Sequence, residues 1–348
     1  MKKCAVLITA IVLVLLAGSA LADLDIHFLD VGQGDAALII CDGEAALIDT
    51  GPAYESEFIY SYLRQLPVRK LRFLLLTHPH DDHVAGASAA LNAVPVEDVL
   101  SPVASWDTKL FKNIVKYAYA QGTAIHVVSE GDIINLGSAT LTVLHAWPEA
   151  WDENDMSIVF RLEYGSFSAI FTGDAEYMSE YMILDKYRNL HSDLIKIGHH
   201  GSSSSSTMEF LRAVSPKYAV ISCKTGNDYG HPHQEVLDRL KTLNVDTYRT
   251  DLHGDIFFHV SPDGAVNITT TRSAENKQAV FSAPEIISDV TRAMDPNSTY
   301  VLNVKSKKFH LPDCDSVDDI YFMNRKEYTG TRSDLIEMGY MPCRRCNP

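Results

Sequence analysis

His78-Pro79-His80-Asp81-Asp82-His83 places five metal-capable side chains within six residues. Imidazole and carboxylate donors suit zinc, manganese or iron, and the spacing H-x-H-x-D-H is dense enough to serve two neighbouring ions. Such ions bring the ionisation of a bound water close to neutral pH, so the chemistry this cluster predicts is hydrolysis. A polar loop that is merely rich in histidine is the alternative. Against it stands the apolar run at residues 73–77, which reads as a buried strand and delivers the cluster to a sheet edge, the context a metal site needs.

The elements that must position this cluster carry further donors. Residues 26–29 and 36–40 read as strands around the turn Asp30-Val31-Gly32-Gln33-Gly34-Asp35, and Asp42-Gly43 predicts a two-residue hairpin turn into a third strand at 45–48. That strand ends at Asp49-Thr50-Gly51. A strand at 167–171 ends at Thr172-Gly173-Asp174-Ala175, and one at 194–197 ends at Gly198-His199-His200-Gly201-Ser202. Four strand ends bearing Asp or His predict one convergent site, with Asp174 the candidate to bridge two cations.

In this arrangement the sequence resembles the metallo-β-lactamase fold superfamily, whose metal motifs run Asp, H-x-H-x-D-H, His, Asp, His. The wording FLDVGQGDAALI, LIDTG, LTHPHDDHVAG, ENDMSIVF, FTGDA, IKIGHHGS and YGHPH, across about residues 24–260, is similar to the β-lactamase-like domain of the ComEC competence proteins. The resemblance implies an α/β fold, the αββα sandwich of two mixed sheets flanked by helices, holding two divalent ions, zinc or manganese. Carried over by position, His78, His80, Asp82, His83, Asp174 and His199 are the ligands and Asp49 is the first-motif carboxylate. The third-motif histidine is missing: before the strand expected at 157–162 the chain reads Asp152-Glu153-Asn154-Asp155. Asn154, Asp155 or His145 are the candidates to replace it. Asp82, His200, His231 and Lys196 are the catalytic candidates. His231 and His233 would donate a proton to a leaving oxygen or hold a phosphate, and Lys196 would offset developing charge or cap its strand. Ser202 begins a serine run, 202–206, placed to bind a phosphate oxygen.

A second constellation lies near the carboxyl terminus. His310-x3-Cys314 and Cys343-x2-Cys346 have the spacing of a closed, four-coordinate structural zinc site, with a Cys343–Cys346 disulfide as the alternative. The segment resembles the metal-binding domain of Ada-type DNA repair proteins, with Gly339-Tyr340-Met341-Pro342-Cys343-Arg344-Arg345-Cys346 matching its second half. His310 stands where that family has its methyl-accepting cysteine, so methyl transfer is not expected. Residues 331–338 read as a capped helix ending at Gly339. Lys305, Lys307, Lys308, Arg325, Lys326, Arg332, Arg344 and Arg345 give the segment a local basic excess.

The amino terminus, Met1-Lys2-Lys3 followed by an apolar run and Ala20-Leu21-Ala22, predicts a secretory signal peptide cleaved after Ala22, with an uncleaved membrane anchor as the alternative. The expected organisation is a leader at 1–22, a hydrolase domain at 23–270, a linker with one short amphipathic segment (284–294) at 271–297, and a zinc-binding module at 298–348. With no other spanning segment, the chain reads as a catalytic domain alone, exported. The formal net charge is −15. A chain this acidic cannot rely on a broad counterion-releasing surface, so contact with DNA must be weak or confined to a local patch. Three functions follow: an exported phosphodiesterase or nuclease acting on DNA, an exported hydrolase of small or cell-wall esters (lactonase, thioesterase or phosphocholine esterase), and a non-catalytic DNA-interaction protein built on the tail site.

Overall fold

The computed structural model describes residues 23–67 and 69–273. Between 298 and 348 it describes all but 313, 318–319, 321–323, 331–334, 336–337, 339, 344–345 and 347–348. The leader, the segment 284–294 and most of the helix expected at 331–338 lie outside the described residues, as do Arg332, Arg344 and Arg345.

A first sheet is begun by β1 (Leu24–Phe28), β2 (Ala37–Cys41), β3 (Glu44–Ile48), β4 (Leu71–Leu75), β5 (Val96–Ser101) and β6 (Ile125–Val127). A second contains β7 (Ile133–Leu136), β8 (Ala139–His145), β9 (Val159–Tyr164), β10 (Phe167–Phe171), β11 (Leu194–Lys196), β12 (Tyr218–Ile221) and β13 (Asp246–Arg249). The chain then returns to the first sheet through β14 (Ile256–Val260) and β15 (Val266–Thr270), giving the orders β15-β14-β1-β2-β3-β4-β5-β6 and β13-β12-β11-β10-β9-β8-β7. Both sheets follow one plan. An antiparallel run, from β15 to β3 or from β7 to β10, passes into a parallel run through β4, β5 and β6 or through β11, β12 and β13. Asp42 (φ 52°) and Gly43 (φ 79°) form the β2–β3 turn with two left-handed residues, as the Asp-Gly pair predicts.

The strands read as unbroken apolar runs because both of their faces are buried. Ile39, Ala46, Ile48, Phe73 and Leu75 of the first sheet meet Phe160, Ala169, Phe171, Leu194 and Val220 of the second in a shared central layer. Within it, the Phe171 ring stacks on Phe28 at 5.7 Å and on Phe160 at 4.8 Å. Leu38, Leu47 and Leu74 point outward from the first sheet onto α1 (Ser56–Gln65), which follows a single 3-10 turn, and, beyond the one-turn segment α2 (Asp81–Val84), onto α3 (Ala87–Ala93) and α4 (Lys109–Ala120). Ile170, Ile195 and Ile221 do the same on the second sheet against α5 (Tyr177–Lys186), α6 (Met208–Val214) and α7 (Gln234–Thr242). The result is the expected αββα sandwich.

The tail forms a four-stranded sheet from β16 (Ser298–Asn303), β17 (Lys308–His310), β18 (Arg325–Gly330) and β19 (Met341–Pro342), in the order β18-β16-β17-β19. Its apolar core is small, centred on Tyr300, Leu302, Phe309, Leu335 and Tyr340. It meets the sandwich at the first turn of α1, where Glu57 pairs with Lys308 (3.3 Å) and accepts from the Cys343 thiol (3.1 Å). Among the described residues, no helix is long and apolar enough to cross a membrane.

Candidate metal centre and active-site cleft

The donors gather at the carboxyl ends of β3, β4, β10 and β11, where open α/β sheets place their sites. Three residues there, Asp49 (φ 54°), His199 (φ 49°) and His200 (φ 54°), hold left-handed backbone conformations without being glycine, a strained state that concentrates at functional sites. Gly34 is needed for a different reason. At φ 146° it passes so close to the Asp82 carbonyl that an added Cβ would come within 2.3 Å of the oxygen.

Hydrogen bonds fix one nitrogen of each buried imidazole and turn the other toward the neighbouring donors. His83 Nδ1 donates to Asp49 Oδ2 at 2.8 Å. Its Nε2 faces Asp174 Oδ1 at 3.2 Å, a gap that a proton or a cation would fill, and neither atom has another hydrogen-bond partner. His200 Nδ1 donates to the Ser222 carbonyl at 3.0 Å and its Nε2 faces Asp82 Oδ2 (3.2 Å) and Asp174 Oδ2 (3.4 Å); burial opposes a charge on this ring, but Asp174, Asp35 and Asp82 push its pKa up to about 10. His80 Nε2 is taken by Glu153 (3.1 Å) and His78 Nδ1 lies beside Thr77 Oγ1 (3.2 Å), which leaves His78 Nε2 facing His80 Nδ1 at 3.1 Å. Imidazole nitrogens and carboxylate oxygens thus crowd together in a buried space at 3.1–3.4 Å, contacts that either protons or cations between them would bridge.

The charge balance points the same way. Asp35, Asp49 and Asp174 are all buried, Asp82 borders them, and Lys196 is the buried lysine beside them. Burial disfavours a charged His83, yet Asp174 and Asp49 on either side outweigh it and hold its pKa well above the ordinary imidazole range. The residues present fit divalent metal. His78, His80 and Asp174 could hold one ion, and Asp82, His83, His200 and Asp174 a second; Asp82, His83 and His200 of the second set bring their ligand atoms within 4.8 Å of one another, as do His78, His83 and Asp174 across the two sets.

Several expected positions are revised. His200, not His199, turns its ring into the donor cluster. His199 is 22% exposed and directs Nδ1 to Glu176 (3.1 Å), with Nε2 3.9 Å from Asp174. Asp49 accepts from Thr77 N (2.8 Å), Thr77 Oγ1 (2.7 Å) and His83, so it orients a ligand with both oxygens already engaged. Lys196 does not reach the cleft. It ion-pairs with Asp35 at 2.7 Å and donates to the Ile197 carbonyl, while Asp35 Oδ1 approaches His200 Nδ1 at 3.3 Å; burial opposes charge on Asp35, but Lys196 and His200 draw its pKa down to about 2.

Ser202 Oγ bonds Ser204 Oγ (2.9 Å), and Ser204 in turn bonds Glu176, so the serine run is knitted to itself instead of lining the cleft. His233 has both nitrogens engaged, by Ser203 N and the Tyr229 carbonyl, and serves to pin its loop. Of the three candidates for the missing histidine, Asp155 caps the start of α5 through Glu176 N and Ser179, and His145 lies beside the Asp155 carbonyl, away from the cleft. Asn154 alone lines the cleft, with Oδ1 buried and without a partner.

The cleft above the cluster holds about 430 Å³ and is lined among others by Gln33, Asp82, Trp106, Asn154, Tyr229 and His231. His231 packs edge-on to His199 at 5.4 Å, and burial together with His199 and His200 pushes its pKa down to about 4, so it is neutral at pH 7. Asp35, Thr77, Ser157 and Glu176 were missed as site residues. Ser157 accepts from Asp174 N at 3.0 Å, and only its place in ENDMS hinted at this.

In the tail, the ligand atoms of His310, Cys314, Cys343 and Cys346 lie within 4.8 Å of one another, and none of the three cysteines is in a disulfide. Three sulfurs and one nitrogen fit a closed four-coordinate metal site.

The sequence model of the Metallo-beta-lactamase superfamily matches residues 29–225, more than half of the chain, and the chain belongs to that superfamily, whose hydrolases are metal-dependent. It is 32% identical over 253 residues to ComE operon protein 3 of Bacillus subtilis (strain 168), covering 67% of this chain and 32% of that protein. It is 29% identical over 237 residues to Competence protein ComA of Neisseria gonorrhoeae, covering 68% and 32%. The chain spans about a third of the length of these curated relatives. Among solved structures, the metallo-beta-lactamase fold protein YhfI from Bacillus subtilis aligns over 68% of this chain and 100% of its own at a TM-score of 0.49 and 16% identity.

Proposed function

We propose that this chain is an exported, metal-dependent phosphodiesterase that cleaves DNA. The observation that carries the reading is the convergence of imidazole and carboxylate ligand atoms beneath an open cleft. A closed structural site would leave no room for a substrate, whereas this one opens onto a space with neutral His231 at its wall. Divalent ions held by His78, His80, Asp82, His83, Asp174 and His200 would supply a nucleophilic water at neutral pH and offset the charge of a phosphate. The protein's own groups do the rest. Asp49 and the Ser222 carbonyl orient the rings of His83 and His200, and neutral His231 at the cleft wall is placed to hold the phosphate or the leaving oxygen by a hydrogen bond. DNA as substrate is supported by the competence relatives, and export by the leader-like residues 1–22. The tail would hold one structural zinc.

The test is incubation of the mature protein with manganese or zinc and plasmid, linear or single-stranded DNA. Cleavage is expected, abolished by chelators and weakened steeply by salt. Efficient cleavage of a lactone or phosphocholine ester with every DNA form intact would replace this reading with the small-ester one.

A further inference from the structure

The cleft is lined by aromatic rings and acidic groups, and neither lysine nor arginine is among its lining residues. A nucleic acid entering it gains little from counterion release there, so its affinity must come from elsewhere. Two large rings line the cleft, Tyr229 and a half-buried Trp106 that packs against the apolar layer outside the first sheet. Trp106 follows β5 of the first sheet and Tyr229 follows β12 of the second, so each sheet contributes one ring. Tyr229 is 67% exposed, yet it is not loosely held. One face stacks on His231 at 5.6 Å and 22°. Its backbone N–H donates to Asn227 Oδ1 (3.1 Å), its carbonyl accepts from His233 Nε2 (3.2 Å), and Asn227 also ties down His231 N. An exposed ring on a pinned backbone loses little freedom when a planar group packs on it.

Gln33 also lines the cleft. Its Oε1 accepts from Lys224 N at 3.3 Å, which fixes the amide orientation, and its Nε2 is buried without a partner at the cleft wall. Such a donor suits a phosphate or base oxygen.

We propose that Trp106 and Tyr229 stack the bases on either side of the scissile phosphate, so that the cleft takes an unpaired strand and not a duplex, whose base faces are covered. The inference rests on the phosphodiesterase reading. Stacking on one aromatic contributes roughly 1–3 kcal/mol per base, or about tenfold to a hundredfold in binding. The experiment compares a single-stranded oligonucleotide with the same strand bearing abasic sites beside the cleaved bond, using the full chain loaded with manganese, by cleavage and by fluorescence anisotropy.

Tyr229→Ala and Trp106→Ala should raise KM and Kd for the intact strand about tenfold or more while bound metal stays constant, and Tyr229→Phe should restore wild-type values. On the abasic strand the wild type should fall to the level of the alanine variants, which lose nothing further. Alanine variants within twofold of wild type on the intact strand, or a wild type indifferent to abasic sites, would overturn the stacking. A wild type that binds the strand in this base-dependent way yet cleaves no DNA would overturn the phosphodiesterase reading alone. A wild type that binds no strand ends both.

Discussion

The molecule carries two metal-capable clusters, and they stand in opposite relation to the polypeptide around them. The sandwich cluster is made of nitrogen and oxygen donors, opens onto a cleft, and sits on an extensive core of two sheets and two helical layers. The tail cluster is made of three sulfurs and a nitrogen, is nearly buried, and rests on a core of a few side chains. In the first, packing pre-forms the site and leaves a face open for chemistry. In the second, the donors themselves supply much of what holds the small sheet together. A cluster that a large fold supports is free to bind substrate, whereas one that supports its own fold is not.

The sharpest way to break this contrast is to remove one donor from each. Asp174→Ala should cut hydrolysis by at least about 1,000-fold, the equivalent of about 4 kcal/mol of transition-state stabilisation, and lower bound metal, while the sandwich melts cooperatively. Cys314→Ser should do the reverse, leaving turnover of a small phosphodiester near wild type while hydrogen exchange in β16 and β17 accelerates. Activity measurements with metal analysis and exchange by mass spectrometry check both; a Cys314→Ser protein that loses hydrolysis as completely as Asp174→Ala would erase the distinction.

Removing the tail altogether gives a smaller effect. Deletion of 298–348 should leave bis-p-nitrophenyl phosphate turnover within about twofold but weaken action on long DNA, because Lys305, Arg325 and Lys326 lie on the exposed tail surface. Equal loss on both substrates, in a truncated protein shown to be folded, would make the tail part of the catalytic site.

The last test concerns buried carboxylates inside the sandwich. Where Lys196 and His200 face Asp35, its pKa is drawn down to about 2, but at Asp255 burial pushes the pKa up to about 6 from 3.8. Between about pH 4 and 6 the unfolded chain releases the Asp255 proton first. Stability should therefore fall as pH rises through that window, by up to roughly 3 kcal/mol, and flatten above it. Asp255→Asn keeps the acceptor for Asp30 N and should remove the slope. Melting temperatures recorded from pH 4 to 7 decide this, and identical slopes in the two proteins would refute it.

The strands and the donors they carry were legible because each donor motif sits directly after an apolar run, and the strand boundaries shifted by only a residue or two. What the sequence could not resolve depends on partners distant in the chain. His199 and His200 are adjacent and chemically identical, and only the Ser222 carbonyl and Asp35 decide which ring turns inward. Lys196 looks catalytic until Asp35, 161 positions away, claims its ammonium. Asp155 looks like a ligand until α5 begins beside it and uses its carboxylate as a cap.

The donors come from both halves of the sandwich: His78, His80, Asp82 and His83 from the first sheet, Asp174 and His200 from the second. An ion gripped by both would be a cross-link between the two layers, spanning more than a hundred residues of chain. Its binding is then coupled to keeping the sheets in register, and at a hundred times its Kd it would stabilise the folded state by about 2.7 kcal/mol. Metal scarcity would thus reduce both the chemistry and the lifetime of the folded protein.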